Sequence, residues 1–433
     1  MSLSEGRKSL RHDLPVEIYS LIVDEVRLDD SILTSMALVC QLLRSLAQPH
    51  LFRSVVMDFG KENPCRSKTK LEDFLEFSKV SPHLAGYVQS LEWTVVNINR
   101  LNESLMAQFL FKCGNIRTFR FKMIVGRHMC AIDWHELDPQ LAEAISCVLK
   151  CPSLHLLELC MWKNFPLQNL RSARNLKHLV IDGVNEHPAD PHLLLQPTTR
   201  RKTASLRLKN LHLGRYSKYV VDALVDSHPP FTRPTVNLSR LRMLSLTWHE
   251  MSDIHATYKL MSEATRVRVL EMRVASDADI RIFGLSRAIL RGSCRTLRKL
   301  TVYLPRPGDF DPTETLLDIL EELRCLGNKT NKLHTLEIKH RNYHALLFDS
   351  SFLPLYHELD TLLASAFPSL RTFRIRTISL VDNRKEQEIC LTPSFQEQLR
   401  SMMESCFPKY IAVDESNIEF SLKTENRRYR YEE

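Results

Sequence analysis

Three groupings in this chain carry residue types that could hold a metal or activate a bond, and spacing decides each of them. His249-Glu250 opens like H-E-x-x-H, which sets two histidines one helical turn apart on one face toward zinc, but the next histidine is His255, six positions on. Cys147 and Cys151, and likewise His340 and His344, stand four apart, a spacing that can present two ligands to one ion. Neither pair is accompanied by a second pair at finger-like spacing. Cys147 falls in an apolar helical pattern and Cys151 at its end, so both are expected to be buried structural cysteines. His340 and His344 are expected in a surface loop. G-x-x-x-x-G-K-[ST], G-x-G-x-x-G and G-x-S-x-G are all absent, so phosphate cradles and nucleophile elbows lack their marks. No catalytic residue, metal ligand or cofactor is expected, and the chemistry left is that of recognition.

The residues able to do that work are placed by a repeated phrase, apolar-x-x-apolar-x-apolar. Ten copies begin at Val88, Ile116, Leu154, Leu176, Leu208, Leu241, Val267, Leu297, Leu333 and Leu370. Their mean spacing is about 31 residues, inside the range of repeat architectures. Three residues ahead of each copy stands a mostly small or apolar residue, among them Ala85, Cys113, Cys151, Ala173, Ala264 and Cys294. Helical periodicity precedes many copies: Leu141, Ala144, Ile145, Val148 and Leu149 in one case, Leu316, Ile319, Leu320 and Leu323 in another. Each unit therefore reads as a helix, a corner and a short strand. Right-handed crossovers would lay successive strands side by side in a parallel sheet, ten of them spanning roughly 43 Å. The pattern resembles leucine-rich repeats, of irregular length and without their regular asparagine, and predicts an α/β solenoid with strands on its concave face and helices outside.

Along each strand the residues between the buried ones face away from the helices. The row beside the middle apolar residue runs from Glu92 to Arg374, and the row two places on includes Lys122, Arg273, Tyr303 and Arg376. Opposite charges mix in these rows, whereas a nucleic-acid backbone would favour one sign, so a polar protein partner is expected and nucleic acid is not. Arg273, Tyr303, Arg374 and Arg376 combine Arg forks with an aromatic, a set suited to acidic or phosphorylated segments. Trp162, Tyr216, Trp248 and His249, just past their strands, are expected as further exposed anchors, with Trp162 and Tyr216 the alternative site. Proline-rich insertions at 188–197, 229–234 and 305–312 would extend the rim.

Residues 12–57 do not follow the repeat. Asp13 before Leu14-Pro15 marks a helix start, Ile18, Leu21, Ile22 and Val26 form a stripe, Asp29-Asp30-Ser31 restarts the chain, and a third segment ends at Pro49 before Leu51-Phe52. Three short helices in about 45 residues bury too little to be robust alone, so the module should lean on a partner or on the first repeats. LPVEIYSLIVDEV, ALVC and PHLFRSV, in this order, resemble an F-box domain, particularly the type that begins many fungal proteins continuing into leucine-rich repeats. Where that family often has Trp three residues after the cysteine, this chain has Leu43. The resemblance implies docking onto a Skp-type adaptor, and through it a cullin scaffold, by Leu14, Pro15, Ile18, Leu38, Val39, Cys40, Leu43, Leu51 and Phe52, several of which would double as the module's own core. It implies a non-catalytic, substrate-recruiting subunit of an SCF-type ubiquitin ligase with an unknown protein substrate. The alternative is an adaptor-bound repeat scaffold that delivers no substrate for degradation.

The bulk composition agrees with this organisation. Fifty-nine basic residues against 51 acidic ones give a formal net charge of +8, interspersed along the chain, and Gly is low at 11. No run approaches 18 apolar residues and the first residues lack the apolar stretch of a secretory signal, so neither a membrane span nor secretion is expected. Eleven cysteines, an odd number without framework spacing, fit reduced thiols and a cytoplasmic or nuclear location. The expected organisation is a disordered segment 1–11, the F-box at 12–57, a linker at 58–70, about ten repeats over 71–423, and a charged tail at 424–433.

Overall fold

The structure is a computed structural model, and it describes residues 14–59, 64–95, 102–123, 131–184, 205–225, 234–275, 281–304, 312–327, 332–343, 352–381, 392–412 and 417–426. His344, Asp13, residues 1–11 and most of the proline-rich insertions lie outside the described residues.

Every copy of the repeated phrase becomes a strand. In chain order the strands are β1 (Ser54–Phe59), β2 (Ser90–Val95), β3 (Thr118–Met123), β4 (Ile132–Asp133), β5 (Leu156–Cys160), β6 (Trp162–Lys163), β7 (His178–Asp182), β8 (Asn210–Leu213), β9 (Met243–Trp248), β10 (Val269–Val274), β11 (Lys299–Tyr303), β12 (Thr335–Tyr343), β13 (Thr372–Val381) and β14 (Asn417–Asn426). All but β4 and β6, which pair with each other, join one twelve-stranded parallel sheet in sequence order. At about 4.8 Å per strand its eleven gaps span roughly 53 Å. This is the leucine-rich-repeat-like α/β solenoid that the period implies.

The N-terminal module comprises α1 (Val16–Glu25), α2 (Asp30–Val39) and α3 (Gln41–Leu51). Asp29 caps α2 by accepting from the amides of Ser31 and Ile32, both at 3.0 Å. Only Val23, Leu33 and Ala47 are fully buried in its own core. The stripe Ile18, Leu21, Ile22 and Val26 is therefore not an inward one: the first three are exposed and only Val26 is half-buried, because three short helices cannot enclose it.

The thirty apolar positions of the ten phrases are all buried, none more than 4% exposed. They form one side of the sheet because a strand turns alternate side chains to opposite faces. On that side lie α4 (Pro64–Val80), the short α5 (His83–Tyr87), α6 (Glu103–Lys112), α7 (Pro139–Lys150), α8 (Ser217–Val225), α9 (Met251–Glu263), α10 (Leu285–Arg291), α11 (Pro312–Gly327) and α12 (Phe352–Ala366), each consecutive pair from α8 to α12 packing side by side. The helical module leans on the first of them, Phe52 meeting Phe74 of α4 with ring centroids 6.2 Å apart. The stripe Leu141, Ala144, Ile145, Val148 and Leu149 of α7 is buried as its period predicts. The residue three ahead of the phrase is the corner in several units, Cys113, Cys151 and Ala264 being the C-caps of α6, α7 and α9, whereas Ala85 lies within α5 and Thr330 outside the described residues. In place of a regular asparagine ladder, Asn115, Ser153, Asn175 and Thr296 each donate a hydrogen bond to a backbone carbonyl of the preceding repeat, at Gly86, Ile116, Pro152 and Val267.

Carboxylates on the helix layer staple neighbouring repeats. Asp253 on α9 accepts from Ser217 Oγ at 3.0 Å and from the Lys218 amide at 3.4 Å, at the start of α8. Glu322 on α11 accepts from the Ser286 amide at 2.6 Å, at the start of α10, and Asp360 on α12 accepts from the Tyr410 amide at 2.7 Å. Each satisfies helix N-terminal amides that have no partner within their own helix. The contact holds a helix by a residue one repeat away, which no local motif reveals.

Two boundaries differ from the sequence expectation. Residues 58–70, expected as a linker, hold the end of β1 and the start of α4, and 424–426, expected in the tail, belong to β14. β1 follows directly on the helical module because Val55, Met57 and Phe59 alternate with their neighbours and complete the sheet edge beside β2. Helix α3 also continues past Pro49 to Leu51, since a proline in the last turn forfeits only one hydrogen bond.

Candidate functional site

Two surfaces present recognition chemistry: the inner face of the sheet and the outward face of α1–α3. On the inner face the strand register aligns Glu92, Arg120 and Glu158 in one row, with His212, Ser245, Glu271, Thr301, Glu337, Arg374 and Glu419 continuing it. The next row carries Lys122, Cys160, Asp182, Thr247, Arg273, Tyr303, Lys339 and Arg376. Opposite charges meet at close range within the first row and between the two rows.

At the N-terminal end Arg120 pairs with Glu92 at 3.3 Å and with Glu158 at 3.1 Å, while Lys122 reaches the same carboxylates at 3.2 and 3.3 Å. Burial opposes the Lys122 charge, but the Glu158 and Glu92 carboxylates outweigh it and hold its pKa above the ordinary lysine value. At the C-terminal end Glu337, 1% exposed, is ringed by Lys299 at 2.9 Å, Arg376 at 2.7 Å and Lys339 at 3.8 Å, with the Thr301 hydroxyl donating at 3.2 Å. Arg374 makes a two-bond fork to Glu419 of β14, at 2.5 and 2.9 Å.

Burial raises the pKa of Glu337, yet the Lys299 hydrogen bond and the charges of Lys339, Lys299 and Arg376 together bring it below the ordinary carboxylate value. A depressed folded-state pKa stabilises the fold above the unfolded-state value, about 4.3, and that contribution disappears as pH falls through the lower folded value. Glu337→Gln is expected to cost about 3 kcal/mol at pH 7, since it leaves three cations around a neutral group. In denaturant melts the gap between parent and variant should close below about pH 4; a gap constant with pH would mean that the carboxylate charge contributes nothing.

Between these ion-paired ends lies a cavity of about 430 Å³ over β5 to β11, lined by Glu158, His212, Met243, Ser245, Glu271 and Arg273 among others. Tyr303 forms one wall. The Arg273 guanidinium lies 4.6 Å from its ring centroid and the Lys339 ammonium 4.5 Å, and Lys339 also donates to the Tyr303 hydroxyl at 2.8 Å. His212 Nδ1 is 2.8 Å from Ser245 Oγ, and burial pushes the His212 pKa below the ordinary value, toward the neutral imidazole.

The structure divides the residues singled out from sequence. Arg273 and Tyr303 come together, but Arg374 and Arg376 lie on β13, beyond β12, with their forks already engaged by Glu419 and Glu337. The expected convergence of four groups on one anionic segment is therefore corrected: β14, invisible as a phrase copy, supplies the carboxylate that occupies Arg374. Trp162 is not a rim anchor. It is fully buried in a cluster with Phe121, Trp134 and Phe165, and Trp248 is equally buried, its indole N–H donating to Thr257 at 2.9 Å. Trp248 is drawn inside because β9 keeps alternating past the phrase, whereas Trp162 follows Met161, whose left-handed backbone (φ 60°) ends the alternation and sets the indole on β6 beside β4. Tyr216 is half-buried at a left-handed backbone position, φ 57°.

The cysteine and histidine pairs also resolve differently from expectation. Cys147 is exposed, on the face of α7 away from the sheet, while Cys151 donates to the Gly114 carbonyl at 2.9 Å at the corner. His340 lies within β12 rather than in a loop. His249 precedes α9, and Glu250 is its N-cap. Among the described residues no group of three or more His, Cys, Asp or Glu could hold a metal ion, and no helix is long and apolar enough to cross a membrane.

On the helical module Leu14, Pro15, Ile18, Leu38 and Val39 face solvent. Cys40 is exposed and caps α3, its Sγ accepting from the Leu43 amide at 3.5 Å. Leu43 and Leu51 pack against the module's own core, and Phe52 against the core of the sheet.

Sequence reasoning missed β1, β14, Glu419 and the cavity residue Met243, and placed Glu271 only as a position in the polar row. Alternation was the available signal for the strands: Val55-x-Met57-x-Phe59 and Ile418-x-Phe420-x-Leu422 carry the same period of two as the ten phrases. No family model matches this chain, and no curated protein matches it. Among solved structures, an internalin from Listeria monocytogenes is similar over 82% of this chain and 87% of its own, at 12% sequence identity and a TM-score of 0.30.

Proposed function

We propose that this chain is the substrate-recruiting, non-catalytic subunit of an SCF-type ubiquitin ligase, in which α1–α3 dock a Skp-type adaptor linked to a cullin scaffold and the inner face of the repeats holds a protein substrate. The observation that supports it best is the outward apolar surface of the helical module. Leu38 is 75% exposed and Val39 72%, and Leu14, Val16, Ile18, Leu21 and Ile22 add further exposed apolar groups on and beside α1. Large apolar side chains gathered on so small a module mark a surface built for a protein partner. The sheet offers the second half of the reading, a polar face roughly 53 Å long with charges of both signs.

Co-expression with a Skp-type adaptor tests the reading. The full chain is expected to co-purify with the adaptor, and a chain lacking residues 1–53 is expected not to. The cut belongs at 53 because removing residues 54–57 as well would strip β1 and bare the edge of β2. Equal recovery of adaptor with both chains, or none with either, would overturn the proposal.

A further inference from the structure

The inner face has turned nearly all of its charge on itself, and the exception is in the central cavity. Arg120, Lys122, Lys299, Lys339, Arg374 and Arg376 each have a carboxylate partner within 4 Å. Among the described residues Glu271 and Arg273 have neither an ion-pair nor a hydrogen-bond partner, although both line the cavity. Arg273 is exposed and its guanidinium lies over the Tyr303 ring, a contact that pre-orients its fork.

These two side chains stand two residues apart on one strand, on the same face, about 6.6 Å apart along β10. An extended partner segment laid along β10 has the same repeat, so its residues i and i+2 meet both. One row before Glu271, opposite Val269 of β10, Met243 lines the cavity half-buried on the adjacent strand β9. The face thus reads apolar, anion, cation at successive two-residue steps.

We infer that the central cavity of the inner face binds an extended protein segment bearing an apolar residue, a cation and a carboxylate at alternate positions, which meet Met243, Glu271 and Arg273 in turn. This rests on the reading of the inner face as the protein-binding surface and adds the class of segment it takes. A phosphorylated segment is disfavoured, because a dianion brought to Arg273 would also face the Glu271 carboxylate two residues away on the same strand, with one unpaired cation to offset it. A carboxylate with a cation beside it neutralises both free charges at once.

The probes are fluorescently labelled Thr-Leu-Thr-Lys-Thr-Glu-Thr and its reversed sequence, which cover the two chain directions. Controls carry two Lys, two Glu, or phosphoserine in place of Glu. By fluorescence anisotropy with the full-length protein, one of the two mixed-charge peptides is expected to bind at least tenfold tighter than every control. The charge exchange Glu271→Lys with Arg273→Glu should turn that preference toward the peptide with Lys and Glu exchanged, a rescue that loss of folding cannot imitate. Like-charge or phosphoserine peptides binding as tightly, no mixed peptide binding below millimolar concentration, or a preference unmoved by the exchange would each overturn the inference. Adaptor co-purification from the same preparations reads the proposed function separately: adaptor bound without any peptide preference sinks the segment class and leaves the docking intact.

Discussion

Leu244→Asp is expected to remove about 4 kcal/mol or more of stability, because it places a carboxylate where no solvent and no cation can reach it. Leu244 is fully buried on β9, with Leu211 of β8 and Leu270 of β10 as its direct neighbours in the ladder. The sheet offers no relief short of parting these strands or raising the carboxylate's pKa, and either route costs stability. A solenoid makes the outcome local as well as large, since each repeat contacts mainly its neighbours and the damage should spread outward from β9. His178→Ala, on the opposite face of β7, should cost under about 1 kcal/mol. Urea melting measures the difference, and hydrogen exchange at β8–β10 against β2–β3 measures the spread. Equal losses from the two substitutions would mean that the inner and outer faces are assigned the wrong way round.

The double substitution Leu38→Asp and Val39→Asp is expected to weaken adaptor binding at least a hundredfold while leaving the melting profile unchanged. The two side chains end α2 facing solvent, so charging them breaks no internal contact. In an apolar interface they would each strand a carboxylate without a partner, and a few central groups carry most of the energy of such contacts. Ala47→Asp is the contrasting change, for Ala47 is one of the three fully buried residues of the module core and its loss should unfold α1–α3 outright. Calorimetric titration with the purified adaptor, alongside thermal melting, separates the two cases. Adaptor affinity unaltered by the pair of aspartates would remove the apolar end of α2 from the interface.

The repeat was legible because its signal is local and redundant. Leu300 and Val302 announce β11 by alternation alone, and the stripe from Leu141 to Leu149 announces α7 by its period, so burial of one face follows from covalent geometry. The same logic identified the polar row through Glu271 and Arg374, but only as positions along their strands. What those side chains touch depends on the register between strands about 30 residues apart in sequence.

Charge and apolar pattern therefore determined, by themselves, that this chain alternates helix and strand, which face of each strand is buried, and that a separate three-helix module precedes the repeats. Those outcomes need only neighbours within a few residues, the range over which backbone geometry fixes where a side chain points. Tertiary structure alone decided that Arg374 and Arg376 are engaged by Glu419 and Glu337, that Trp162 and Trp248 are core, and that Glu271 and Arg273 stay unpaired at the cavity. Each of these depends on which residues the strand register sets side by side, and pairing in a parallel sheet is set by whole crossovers rather than by the residues that meet.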